Sequence, residues 1–153
     1  MKRLVWFCLI IALLVGGYMA IMRYNDGLAD DVLRRLLEYP LPEGAALLDS
    51  VSVAARLEGN GNGMQYYGAI LLGGEMDEAA LLDHYAPLQD DNSFIEAAAQ
   101  PGPVVEGYNL PVEFALFPVG RACWRVSLIY YSAPNLPVVS EWHALLNLDY
   151  RGH

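Results

Sequence analysis

Residues 4–22 read LVWFCLIIALLVGGYMAIM, nineteen positions without a charge. Coiled as an α-helix at about 1.5 Å per residue, the run covers roughly 28 Å, close to the thickness of a bilayer's hydrocarbon core. It predicts a transmembrane anchor over residues 1–23, with membrane lipid as its partner along residues 4–22. Lys2 and Arg3 precede the run; Arg23 alone follows it closely, before the acids Asp26, Asp30 and Asp31. Positive charge stays on the cytoplasmic side of a span. The pattern therefore predicts a single-pass signal-anchor in the cell membrane, with the N-terminus cytoplasmic and the C-terminal domain outside. Trp6 and Tyr18 fall near opposite ends, where amphipathic rings prefer the interface.

A cleavable signal peptide is the competing expectation, and the charged start fits it. The end of the run fits it poorly: no A-x-A-like pair closes it, and Tyr18 is too bulky to stand two residues before a cut after Ala20. Cys8 sits too near the start to be a lipoprotein cysteine and reads as a small apolar residue of the span. Ala12, Gly16 and Ala20 recur every four residues on one helix face. That spacing lets two membrane helices approach closely and would pair two copies as a homodimer, although small residues are also common in any membrane helix.

Beyond Arg23 about 130 residues remain, enough for one domain. All eighteen acids of the chain lie there against six arginines, a net charge of −12, and no lysine occurs after Lys2. Such a domain repels nucleic acid and anionic headgroups, and neither is expected as a partner. Cys123 is the lone cysteine outside the span, so the domain has neither an internal disulfide nor a zinc framework and depends on its apolar core.

Asn25-Asp26-Gly27 punctuates the end of the span. Asp26 is placed to cap a juxtamembrane amphipathic helix within residues 24–40, with Leu28, Val32, Leu33, Leu36 and Leu37 on one face and Pro40 and Pro42 ending it. The third region, residues 41–153, is the extracytoplasmic domain. Residues 51–58 alternate, with Val51, Val53, Ala55 and Leu57 on one side, as in a half-buried strand. Met64 to Leu72 is a second strand. Between them Gly59-Asn60-Gly61-Asn62-Gly63 supplies the positive φ angles of a hairpin turn, and Asn60, Gly61, Asn62 and Gly63 form a possible contact tip. A phosphate loop would need a third glycine where Met64 stands and would open a helix instead of a strand.

A helix over about 75–88 buries Leu81, Leu82, Tyr85 and Leu88, with His84 beside the stripe. Asp90-Asp91-Asn92 reads as a turn, since it lacks the later ligands and fixed glycine of a calcium loop. Phe94 to Gln100 reads as a strand that Val104-Val105 extends. Residues 112–117 and 122–131 read as a hairpin in register 116–124, with Glu113 near Arg125. Ser140 caps a final short helix carrying Trp142, Leu145, Leu146 and Leu148.

No catalytic constellation emerges. Cys123 lies inside a strand without a flanking signature, Ser140 lacks a glycine elbow, and His143, Asp149 and His153 are too few to define a metal centre. No cofactor, metal or catalytic residue is expected. The segment Tyr39-Pro40-Leu41-Pro42-Glu43-Gly44-Ala45, the run GNGNGMQYYGAILL over residues 59–72 and the ending DYRGH resemble small single-span membrane-anchored proteins of Gram-positive bacteria, a group with no assigned activity. The resemblance implies an extracytoplasmic domain on an N-terminal anchor and carries no functional residues over.

The expected fold is therefore α+β: an N-terminal transmembrane helix and one small domain with a four- or five-stranded antiparallel sheet and helices mainly on one face. The expected function is a membrane-anchored binding or assembly module for another membrane or envelope protein. One alternative is a small-molecule or ion sensor with a pocket lined by Tyr66, Tyr67, Tyr130 and Tyr131. Another is an envelope hydrolase using His143 or His153.

Overall fold

One helix, α1 (Lys2–Glu38), carries the apolar run and continues past it. The break expected at Asn25-Asp26-Gly27 does not occur. Asn25 is buried and accepts a hydrogen bond from the Tyr66 hydroxyl at 3.2 Å. Asp26 is held by Arg151 at 2.6 Å. Contacts with the domain thus hold three turn-forming residues in helical geometry, offsetting the roughly 1 kcal/mol that a glycine costs inside a helix. In this computed structural model, which describes residues 2–58, 64–131 and 151, α1 is a rod of roughly 55 Å. Residues 4–19 are exposed on nearly every side, and their length and composition allow a membrane crossing. Farther along, Asn25, Ala29, Val32 and Leu36 form a buried stripe. Leu28 and Leu33 flank it half-buried, whereas Leu37, expected on the apolar face, is 44% exposed.

The domain's main sheet is antiparallel, in the order β1-β2-β6-β3, built from β1 (Ala46–Ala55), β2 (Gln65–Gly73), β3 (Ser93–Ala99) and β6 (Cys123–Tyr131). Helix α2 (Glu78–Tyr85), followed by a 3₁₀ turn over Ala86–Leu88, joins α1 on one face. The arrangement is α+β, as the sequence implied. β1 begins earlier than its alternating pattern suggested, because a bulge between Leu47 and Asp49 interrupts the period of two. β1 and β2 pair antiparallel as expected; the connecting tip, residues 59–63, lies outside the described residues. The final helix expected after Ser140 also falls outside them.

Two pairings differ from the sequence reading. β6 does not form a hairpin with residues 112–117 in register 116–124; it lies between β2 and β3, with Ile70 opposite Val126 and Ala97 opposite Val126 on the other side. Both faces of β6 are buried, by Val126 and Leu128 on one side and Cys123 and Ile129 on the other. A strand buried on both faces needs long neighbours on both edges. Pro111 and Pro118 limit the 112–117 segment, and only β5 (Val112–Glu113) is extended there. β5 pairs with β4 (Val104–Val105) in a separate two-stranded sheet, so Val104-Val105 does not prolong β3. Pro101-Gly102-Pro103 turns the chain away between them.

The sheet divides two cores. On the helical face, Tyr66, Ile70, Leu72, Val126 and Leu128 pack against α1 and α2. On the other, Tyr67, Leu71, Cys123 and Ile129 pack beneath Val105, Val112 and Phe114. α1 meets β2 first at Tyr66 and then at Gly68, where a β-carbon would stand 2.5 Å from the Leu33 nitrogen. The sheet end at Gln65 and Tyr131 is therefore nearest the apolar run, and the end at Gly73, Cys123 and Ala99 lies farther from it. At the near end Arg56 N, just past β1, donates to Arg151 O at 3.0 Å, so Arg151 is tied both to the end of β1 and to α1.

Candidate functional site

On the non-helical face three strands and a loop bring a group of polar side chains together. Along β6 the alternation that buries Cys123 and Ile129 also turns Arg125 and Ser127 to this face. β3 supplies Glu96, opposite Ser127, and β2 supplies Tyr67. Tyr108 descends from the loop between β4 and β5 and meets Tyr67 edge to face, with centroids 5.3 Å apart.

Arg125 Nη2 stands 3.4 Å from Glu96 Oε2, and Nη1 donates to the Tyr67 hydroxyl at 3.4 Å. Glu96 Oε2 also accepts from Tyr108 at 3.4 Å and from Ser127 at 3.5 Å. These contacts are all at the long limit of hydrogen bonding. Arg125 Nε is buried with no partner among the described residues.

Burial pushes the Tyr67 phenol above its ordinary range, only partly opposed by the Arg125 charge. Burial likewise raises Tyr108, reinforced by its neighbours Tyr67 and Glu96. Burial works against the Arg125 charge, but Tyr67, Tyr108 and Glu96 together outweigh it and raise the guanidinium's pKa. Both hydroxyls thus stay protonated and Arg125 stays charged near neutrality. The group can hold a hydrogen-bonding ligand, and neither the two phenols nor the guanidinium is poised to transfer a proton there.

Beside this cluster lies a concavity of about 410 Å³, lined by residues 99–106 and Arg125. Its rim is fixed internally. Gln100 Nε2 donates to Gly102 O at 2.6 Å and Val104 O at 2.9 Å, Gln100 N donates to Cys123 O at 2.8 Å, and Phe114 N donates to Pro103 O at 2.9 Å. A second hollow, of about 340 Å³, lies by the start of α2 between Pro42, Glu43, Glu75, Asp77 and His84.

The other residues singled out from the sequence are dispersed. Tyr66 and Tyr130 stack at 6.3 Å on the helical face, while Tyr67 and Tyr131 project from the opposite one. The four tyrosines line no common pocket. Cys123 is buried, its thiol pushed up by burial, which opposes the thiolate a nucleophile needs. His84 sits across the sheet, its Nε2 2.7 Å from Pro40 O. Asp90 closes a turn by accepting from Asn92 N at 3.0 Å, the contact that chiefly lowers its carboxyl pKa. Among the described residues no group of three or more histidine, cysteine or acidic side chains is placed to hold a metal. Ala12, Gly16 and Ala20 lie on the exposed half of α1, with nothing within 4 Å of a β-carbon built at Gly16. The tip residues Asn60, Gly61, Asn62 and Gly63, with His143, Asp149 and His153, lie outside the described residues.

Sequence reasoning paired Arg125 with Glu113, and so missed Glu96 and Tyr108. The available signal was a single charged residue within the mostly apolar run CWRVSLIYY, which demands a polar partner wherever that strand is buried. The chain matches no protein family, curated protein or solved structure.

Proposed function

We propose that this protein is a membrane-anchored binding or assembly module, held outside the cell membrane to engage another membrane or envelope protein. Residues 4–22 cross the bilayer with the N-terminus cytoplasmic. The observation that carries the reading is the continuity of α1: one helix runs from an exposed apolar half into a stripe, Ala29, Val32 and Leu36, that is part of the domain's core. Such a helix presents the domain at a set height above the lipid, as an interaction module requires and as a freely diffusing enzyme does not.

The surface offered to a partner is the sheet end remote from the lipid. There Leu116 is 67% and Val119 96% exposed, on the loop leading into β6. The test is photo-crosslinking in living cells from the full-length chain, with the crosslinker at Leu116 or Val119. A discrete adduct with an envelope protein supports the module; failure to form one from either position removes it. Topology is checked in the same cells: a cysteine at Val119 reacts with a membrane-impermeant maleimide if the domain is outside and is protected if it is not.

A sensor reading has one observation in its favour, the concavity beside Arg125. Its ligand would occupy that hollow, and no role would fall to the four tyrosines as a group.

A further inference from the structure

We propose that the concavity between residues 99–106 and Arg125 takes a neutral, apolar polypeptide segment of the partner, with a main-chain carbonyl of that segment accepting from the Arg125 guanidinium. The inference rests on the interaction-module reading and names the chemistry the module recognises. A guanidinium has five N–H donors. Among the described residues only two of Arg125's are engaged, each at 3.4 Å, and Nε has no partner. The side chain is 11% exposed and lines the cavity; Nε itself is buried, so the hydrogens left over on Nη1 and Nη2 are the donors that a ligand in the hollow would meet.

Charge decides the ligand class. Glu96 already opposes the Arg125 charge, and Glu106 adds a carboxylate to the lining. The domain beyond Arg23 carries −12 in sequence charge, so an anion is repelled on approach. A cation is drawn by that overall charge, but the hydrogens of a guanidinium are donors and cannot ligate it. A neutral acceptor meets neither obstacle, and the peptide carbonyl is the commonest neutral acceptor that an apolar chain presents. The remaining walls suit such a chain: Pro101, Pro103, Val104 and Val105 are apolar. Because Gln100 spends its amide on the loop's own carbonyls, the rim is formed before a ligand arrives.

The test uses the full chain in lipid nanodiscs with ¹⁵N-labelled arginine, titrated with N-acetyl-valyl-leucinamide. The Arg125 Nε–H resonance is expected to shift saturably. The corresponding free acid, N-acetyl-valyl-leucine, is expected to bind about tenfold more weakly, and the Val104→Trp variant, which fills the mouth of the hollow at a 44% exposed position, to abolish the shift while the rest of the spectrum is retained. An unshifted Arg125 resonance at saturating amide, an acid that binds as tightly, or a shift that survives Val104→Trp would each overturn the proposal. Crosslinking from Leu116 and Val119 is read independently of this titration. Adducts without a shift therefore remove the carbonyl site and leave the module standing.

Discussion

Gly68 of β2 lies directly beneath Leu33 of α1, so close that a β-carbon there would stand 2.5 Å from the Leu33 nitrogen and 2.6 Å from its α-carbon. Both obstructing atoms are backbone. Relief would require the helix to lift from the sheet, separating Val32 and Leu36 from their core. Gly68→Ala is expected to destabilise the domain by about 1–3 kcal/mol, the usual range for overpacking. Denaturant unfolding of the full chain in micelles measures this, and an unchanged midpoint would show that α1 is not docked over Gly68.

Gly27 tests the continuity of α1. It lies inside the helix, and a β-carbon added there would meet nothing within 4 Å. Gly27→Ala is expected to stabilise the protein by about 0.5–1 kcal/mol, since the chain loses less conformational entropy on becoming helical. A helix broken at residues 25–27 would give no gain, so the sign of the change separates the two architectures.

Tyr85 is fully buried and its hydroxyl has no partner among the described residues. Burial pushes its pKa up to about 12, from 10.0. Between those values the unfolded tyrosine has lost its proton and the folded one has kept it. Folding stability is therefore intact below pH 10 and falls as pH rises toward 12. Tyr85→Phe removes the unpaired hydroxyl; it is expected to be neutral or slightly stabilising at pH 7 and to flatten the alkaline decline. Unfolding midpoints of the two proteins across pH 9–12 provide the check.

Glu96 and Arg125 form the domain's most buried ion pair among the described residues, at 11% exposure for the arginine side chain. Glu96→Gln leaves the guanidinium without its counter-charge and is expected to cost roughly 1–3 kcal/mol, moderated because Glu96 is 32% exposed. The double variant Glu96→Leu with Arg125→Met is expected to recover most of that loss, since an apolar pair avoids the desolvation of both charges. A double variant no more stable than Glu96→Gln would indicate that the pair itself holds the strands together.

What could be read from the chain was local. The alternation of Val51, Val53 and Ala55 marked a strand, and the spacing of Leu81 and Tyr85 marked the buried side of α2, because both patterns follow the period of one element. The partners of β6 could not be read this way. Val112 and Phe114 alternate as well as any edge strand, and nothing local says that β3 takes their place. The same limit hid the site. Glu96 and Arg125 are 29 residues apart and meet only because β6 lies beside β3. At Asn25-Asp26-Gly27 local propensity favours a turn, while contacts from Tyr66 and Arg151 favour helix, and the contacts win.

The unbroken α1 has one more consequence. With residues 4–22 across a bilayer, the part from Arg23 to Glu38 acts as a lever arm of roughly 24 Å, welded to the domain rather than hinged to it. Thinner or thicker lipid changes the tilt of a spanning helix, and a swing of about 20° would carry the far end of that arm through roughly 8 Å. In that arrangement the thickness of the surrounding lipid would set which way the Arg125 hollow points, and membrane composition would become a control on which neighbours the domain can reach.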